Sequence, residues 1–352
     1  MNIKHLSLFS FCFSAFFTLS SHAQSFSVVN DDFSVTTPDE DNTNTDAAYY
    51  STSTSSAIEF NTNSVGLVSG GSGRALHAIF PSQELTAEGD TITVSTTFVT
   101  PATVDDVDGA NGGEELRIGF FDTLGLTSSE QDANGTELGL GQDISYSTDD
   151  PAIVLSALPG YFTEIDVDPA GITNQDIEIR RHDVITVIDF QPNPPGDDSS
   201  NSFGSDFDLA NVPGTGRLLG TTGSFDSLGS SSDNGYLIAA NTTYTVTVNI
   251  LRNSNDGLEV TSTLFEGGTQ VDTHTEIDDT PASFSFGMWA IATGSDAFGS
   301  SNAVGAADNG IDITSLTVDA NIAGGGTPPA DDAEEDTCFP IVGTDGTSVV
   351  CL

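Results

Sequence analysis

Positive charge is what this sequence lacks. Its 352 residues hold seven Lys and Arg against 52 Asp and Glu, a formal net charge of −45. The one lysine is Lys4, and the six arginines are Arg74, Arg117, Arg180, Arg181, Arg217 and Arg252. A field of that sign repels nucleic acid and anionic membranes, and it favours solubility in salt and capture of divalent cations. Nucleic-acid binding is excluded as a function on this ground, and each arginine that is kept becomes a residue to ask about.

Long apolar runs are scarce too. Beyond the N-terminus nothing approaches the ~20 apolar residues a spanning helix needs, so no membrane span is expected. Nucleophile-elbow, P-loop, dinucleotide and zinc signatures are missing. His77, His182 and His274 stand singly, which argues against a His-rich metal site, and Trp289 is the chain's single tryptophan. Of three cysteines, Cys12 falls in residues 1–23, where Lys4 and His5 precede the apolar stretch Leu6–Leu19 and the small-x-small end Ser21-His22-Ala23. That is the pattern of a secretory signal cleaved before Gln24, and it predicts export. Cys338 and Cys351 remain; an even pair in an exported chain reads as a disulfide.

What the chain does contain is glycine, Ser, Thr and apolar residues alternating with period two, the signature of an all-β protein. In Thr243–Ile250, Tyr244, Val246, Val248 and Ile250 share one face. The turn-forming stretches 253–257 and Gly267-Gly268 then separate it from strands at 258–265 and 269–276, making a three-stranded meander. Further strands are expected at 91–99, 115–122, 152–156, 176–183, 184–190, 283–292 and 311–319. Ten or more strands without a fixed repeat or a helical stripe predict a two-sheet antiparallel sandwich over residues 24–322, with long acidic loops. Residues 323–337 mix Gly, Pro and acids and read as a linker. Residues 338–352 read as a hairpin closed by the Cys338–Cys351 bridge.

Several short motifs together resemble the concanavalin-like lectin/glucanase (jelly-roll) superfamily. They are Asp31-Asp32-Phe33, the strand Ala75–Phe80, the strand entry at 89–94, LRIGFFD at 116–122, PGYF at 159–162, and the closing segments FGMWAIA and IDITSLTVD. The resemblance implies a jelly-roll sandwich and a role in binding or processing glycans, without choosing between them. The tail resembles short Cys-bounded tags on secreted proteins of marine gammaproteobacteria, which implies sorting or surface retention; an inert cap is the alternative.

Four groups are candidates for chemistry. On the strand at 176–183 alternation puts Glu178, Arg180 and His182 on one face, an acid, a guanidinium and an imidazole in line. The competing reading is a solvated face with one ion pair. Arg117 and Tyr161 complete a polysaccharide-lyase quartet with Arg180 and His182, because a polyuronate needs its carboxylate neutralised and a proton removed. Glu164 and Asp168, on an alternating acidic strand, resemble the acids of laminarinase-type hydrolases. Trp289, flanked by small residues and set opposite Phe284, Phe286 and Met288, is a candidate sugar-stacking platform, with Glu178 as a polar partner. Asp105, Asp106 and Asp108 offer clustered hard oxygens suited to calcium. The reading that joins these is a secreted, calcium-assisted protein recognising an extracellular polysaccharide. The alternatives are a lyase or, behind it, a hydrolase, and a structural or adhesion protein of the matrix.

Overall fold

Alternation in the sequence becomes pairing in space. The computed structural model describes residues 23–33, 45–51, 58–61, 63–68, 74–102, 104, 115–123, 158–167, 177–182, 219, 225–232, 236–293, 298, 310–323, 339–343 and 346–350. The expected strands at 152–156 and 184–190 lie outside these residues. In chain order the first strands are β1 (Ala23–Asp32), β2 (Ala48–Ser51), β3 (Ile58–Phe60), β4 (Val65–Val68), β5 (Arg74–Glu84), β6 (Thr91–Val99), β7 (Glu115–Phe121) and β8 (Gly160–Asp166). They are followed by β9 (Ile177–His182), β10 (Phe225–Ser231), β11 (Thr243–Arg252), β12 (Leu258–Glu266), β13 (Thr269–Asp278), β14 (Ser285–Thr293) and β15 (Gly310–Ala323). A separate hairpin, β16 (Phe339–Gly343) with β17 (Gly346–Val350), occupies the expected tail position. Among the described residues there is no helix, and so none long and apolar enough to cross a membrane.

The strands form two antiparallel sheets. One has eight strands, ordered β13-β12-β11-β6-β15-β4-β3 with β1 also on β15; the other has seven, ordered β10-β9-β8-β7-β14-β5-β2. The chain passes repeatedly between them, β5 to β6 to β7 and β13 to β14 to β15, as in a jelly-roll sandwich. The predicted meander is present as β11-β12-β13, and its Gly267-Gly268 turn uses left-handed φ values of 53° and 85°.

The core lies between the sheets. From the eight-stranded sheet it takes Ile92, Val94 and Phe98 of β6 and Tyr244, Val246, Val248 and Ile250 of β11. From the other it takes Ile118 and Phe120 of β7, Tyr161 and Ile165 of β8, Ile177 and Ile179 of β9, and Trp289. Each large aliphatic or aromatic side chain buried here contributes about 1.5–3 kcal/mol.

The seven-stranded sheet is buried on its other face as well. Ile79, Phe121, Phe162, Met288, Ala290 and Ala292 form a second apolar cluster there with Leu158 and Leu219. The strands of this sheet therefore read as continuous buried runs, Leu116–Phe121 in β7 and Phe286–Thr293 in β14. A register shift between Phe286 and Met288 sets Gly287 opposite the three residues Phe80–Ser82 of β5 and changes the phase of β14. Phe286 and Trp289 consequently face the inter-sheet core together, while Met288 and Ala290 turn to the outer face. This corrects the face assignment made from alternation alone. Gly287 sits at the shift, where an added Cβ would lie 3.1 Å from Ser82 and from Thr123.

Candidate functional site

The outer face of the seven-stranded sheet gathers most of the charged residues singled out in the sequence. Register sets Arg117 of β7 beside Glu164 of β8, and Glu164 beside Glu178 of β9. Arg180 stands one pleat along on the same face as Glu178, as the alternation predicts.

These side chains form a continuous row. Arg117 donates through Nε to Glu164 Oε1 at 2.8 Å and through Nη2 to the same oxygen at 2.5 Å. Its Nη2 also contacts Glu115 Oε2, and its Nη1 donates to the Leu219 carbonyl at 3.3 Å. Arg180 places Nε 2.5 Å from Glu164 Oε2 as an ion pair, and its Nη2 donates to Glu178 Oε2 at 2.8 Å. Three carboxylates and two guanidiniums thus alternate Glu115–Arg117–Glu164–Arg180–Glu178. Glu164, at the centre, has a side chain only 5 % exposed, whereas that of Arg180 is 30 % exposed. Burial, reinforced by the hydrogen bond and charge of Glu115, pushes the Glu164 carboxyl up to about 7 against the opposing pull of Arg117 and Arg180.

His182 ends the same face of β9. Its Nδ1 lies 2.7 Å from the Leu158 carbonyl, which can only accept, so Nδ1 carries the proton. Its ring meets Phe121 edge-on at 6.0 Å, and burial lowers its pKa to about 4. The imidazole is thus held neutral in an apolar setting. His77 of β5, cross-strand from Ala290, is fully buried, among the described residues has no hydrogen-bond partner at either ring nitrogen, and is taken down to about 4 by burial.

The structure divides the proposed quartet. Arg117, Arg180 and His182 share the outer face, with the two arginines meeting at Glu164. Tyr161 points the other way, into the inter-sheet core, where its hydroxyl donates to Asp278 Oδ2 at 2.7 Å. Trp289 is also in that core, fully buried, with Nε1 donating to Thr96 Oγ1 at 3.0 Å. An indole enclosed by both sheets is no stacking platform for a sugar, and this corrects the expectation placed on it. Glu178 is on the outer face as expected, bound to Arg180.

Asp168, Asp105, Asp106, Asp108, Cys338 and Cys351 lie outside the described residues. Among the described residues no group of three or more His, Cys, Asp or Glu is placed to hold a metal ion. Glu164 was expected as a hydrolase acid, and its central place between the two arginines was not anticipated because it follows from the β7–β8–β9 register across segments far apart in the chain; Glu115, two residues from Arg117 on β7, was not singled out.

The fold and site together define a jelly-roll sandwich with a charged row on one outer face. No protein-family model and no curated protein matches the chain. Among solved structures it is similar to winged bean acidic lectin complexed with methyl-α-D-galactose, at 12 % identity and a TM-score of 0.41, covering 85 % of this chain and 98 % of that one. It is also similar to a legume lectin-like domain from Entamoeba histolytica, at 11 % identity and a TM-score of 0.35, covering 77 % and 88 %. A third is the VIP36 exoplasmic/lumenal domain in its Ca2+/Man-bound form, at 9 % identity and a TM-score of 0.35, covering 77 % and 82 %.

Proposed function

We propose that the protein is an exported, glycan-recognising sandwich and that the outer face of the seven-stranded sheet carries the recognition. One observation carries the reading. Arg117, Glu164, Arg180 and Glu178 are locked into a single ion-paired row beside an apolar cluster, with Arg180 its most exposed member. A polyhydroxylated ligand needs donors and acceptors fixed in direction next to apolar surface. Guanidinium and carboxylate groups that hold one another are already ordered, so less freedom is lost on binding.

The charge balance also indicates the ligand. Both arginines are engaged by carboxylates, and the chain as a whole repels polyanions, so a neutral glycan suits the row better than a polyuronate. The same pairing weighs against the lyase reading, which needs an uncommitted guanidinium and a tyrosine on the same face. Calcium enters the proposal through Asp105, Asp106 and Asp108, whose hard oxygens suit it.

Affinity electrophoresis of the mature protein through gels containing neutral or uronate polysaccharides tests this. Retardation by a neutral polymer, absence of unsaturated products and loss of retardation in Arg180→Ala are expected. Retardation by none of the polymers, or an Arg180→Ala variant that binds as well as the parent, would sink the proposal.

A further inference from the structure

The outer face of the eight-stranded sheet carries a different pattern. Register places Ser27, Asp319, Thr93, Asn249, Thr261 and Thr275 side by side across β1, β15, β6, β11, β12 and β13. The next row is Asn30, Thr317, Ser95, Thr247, Thr263 and Thr273. Every residue in both rows is exposed or partly exposed, and Asp319 is the one charge among them, in a chain with 52 acids.

Neighbours in these rows are tied to one another. Ser95 and Thr247 hydroxyls lie 3.3 Å apart, Thr263 and Thr273 3.0 Å, and Thr261 and Thr275 2.9 Å. Asn249 donates to Thr93 at 2.6 Å, and one pleat further along the Thr97 and Thr245 hydroxyls are 3.0 Å apart. Threonine is stiff at χ1, so such pairs fix methyl and hydroxyl positions, and side-chain ladders of this kind restrain the twist of a sheet. Strand spacing of about 4.8 Å and a two-residue repeat of about 6.8 Å turn the rows into a two-dimensional lattice of hydroxyls.

We propose that this face is a second binding surface and that its ligand is the ordered water of an ice crystal. The side chains are too short to enclose a sugar ring, and neither row has an aromatic to stack one. Neither row holds a cation to take a phosphate or a carboxylate. What remains is a planar, neutral, periodic ligand that hydrogen-bonds at each repeat, and the lattice repeat is close to that of oxygen atoms on the side faces of ice. Methyls beside the hydroxyls hold water between bonding points in place and exclude looser arrangements. The surface is on the opposite sheet from the glycan row and does not depend on that reading.

Ice-crystal microscopy, thermal hysteresis and partition of the full chain into slowly growing ice test the proposal. The parent should facet crystals and be enriched in the ice, while Thr247→Tyr and Thr263→Tyr should fall to the level of an inert control protein. Glu259→Gln, off the two rows, should keep full activity. Thr247→Val, which keeps the β-branched shape, provides a partial-loss variant should a tyrosine disturb folding, as judged by the melting curve. Round crystals and no hysteresis with the parent overturn the proposal. So do folded tyrosine variants as active as the parent, and so does retention on microcrystalline cellulose that Thr247→Tyr abolishes in a protein without ice activity.

Discussion

Tyr161 reaches across the sandwich and donates its hydroxyl to Asp278 Oδ2 at 2.7 Å, joining the middle of one sheet to the edge strand of the other. Asp278 is also held by Arg181 Nη1 at 2.9 Å and by the Thr280 amide at 2.9 Å. Tyr161→Phe therefore removes one partner of a carboxylate that keeps two, and a loss of about 1 kcal/mol in unfolding free energy is expected. Glycan retention should be unchanged, because the ring faces away from the Arg117–Arg180 row. Urea denaturation alongside affinity electrophoresis separates the effects; a folded variant that no longer binds glycan would return Tyr161 to the site.

Glu164 gives a pH signature of definite sign. Its folded carboxyl is raised to about 7 by burial, above its ordinary 4.5, so the native chain holds a proton that the unfolded chain has already released. Its contribution is full below about pH 4.5 and is lost as pH rises through about 7. Glu164→Gln should remove this dependence. Urea midpoints measured across that window should lie closest at its acid end, where Glu164 is neutral like Gln, and separate as the parent weakens toward neutral pH; parallel profiles for the two proteins would refute the assignment.

His77 has the opposite sign. Burial takes its pKa down to about 4, so on acidification the unfolded chain protonates first and stability is lost between about pH 6.5 and about pH 4. Among the described residues neither ring nitrogen has a partner, so replacing the imidazole by an apolar group of similar size relieves two unsatisfied polar atoms. His77→Leu should be stabilised by about 1 kcal/mol near neutrality and by more in acid. Thermal melts at both pH values check this; a variant less stable than the parent would mean that the imidazole has a polar role.

The strands that alternate cleanly were legible. The 91–99 reading coincides with β6, and the meander, with its Gly267-Gly268 turn, is in place because Thr and β-branched residues on a half-exposed sheet leave period two intact. Alternation also put Glu178, Arg180 and His182 together. It failed on β14, where both faces are buried and the shift before Met288 reverses the phase, so Trp289 reads as exposed and is in the core. It gave no view of the Arg117–Glu164 pair, separated by 47 residues, since register across separate segments is a tertiary property. β10, FDSLGSS, lacks the β-branched residues that mark a strand and is held by pairing with β9.

Asp90 decides how the sandwich ends. Fully buried, it accepts from the Thr86 and Ala87 amides through Oδ2, each at 2.7 Å, and from the Ala323 amide through Oδ1 at 2.6 Å. Ala323 is the last residue of β15, so one carboxylate ties the turn before β6 to the end of that strand. Asp90→Ala would strand these amides in a dry site, and a loss of about 3 kcal/mol is expected, with Asp90→Asn recovering part of it by keeping one acceptor oxygen. Because the Ala323 bond is at a strand end, the first consequence should be fraying of β15 ahead of global unfolding. Hydrogen exchange resolved by peptide should show faster exchange at 319–323 in Asp90→Ala, with the β11–β12 hairpin protected as in the parent. Uniform loss of protection throughout the sandwich would instead make Asp90 a determinant of the whole fold and not of its C-terminal boundary.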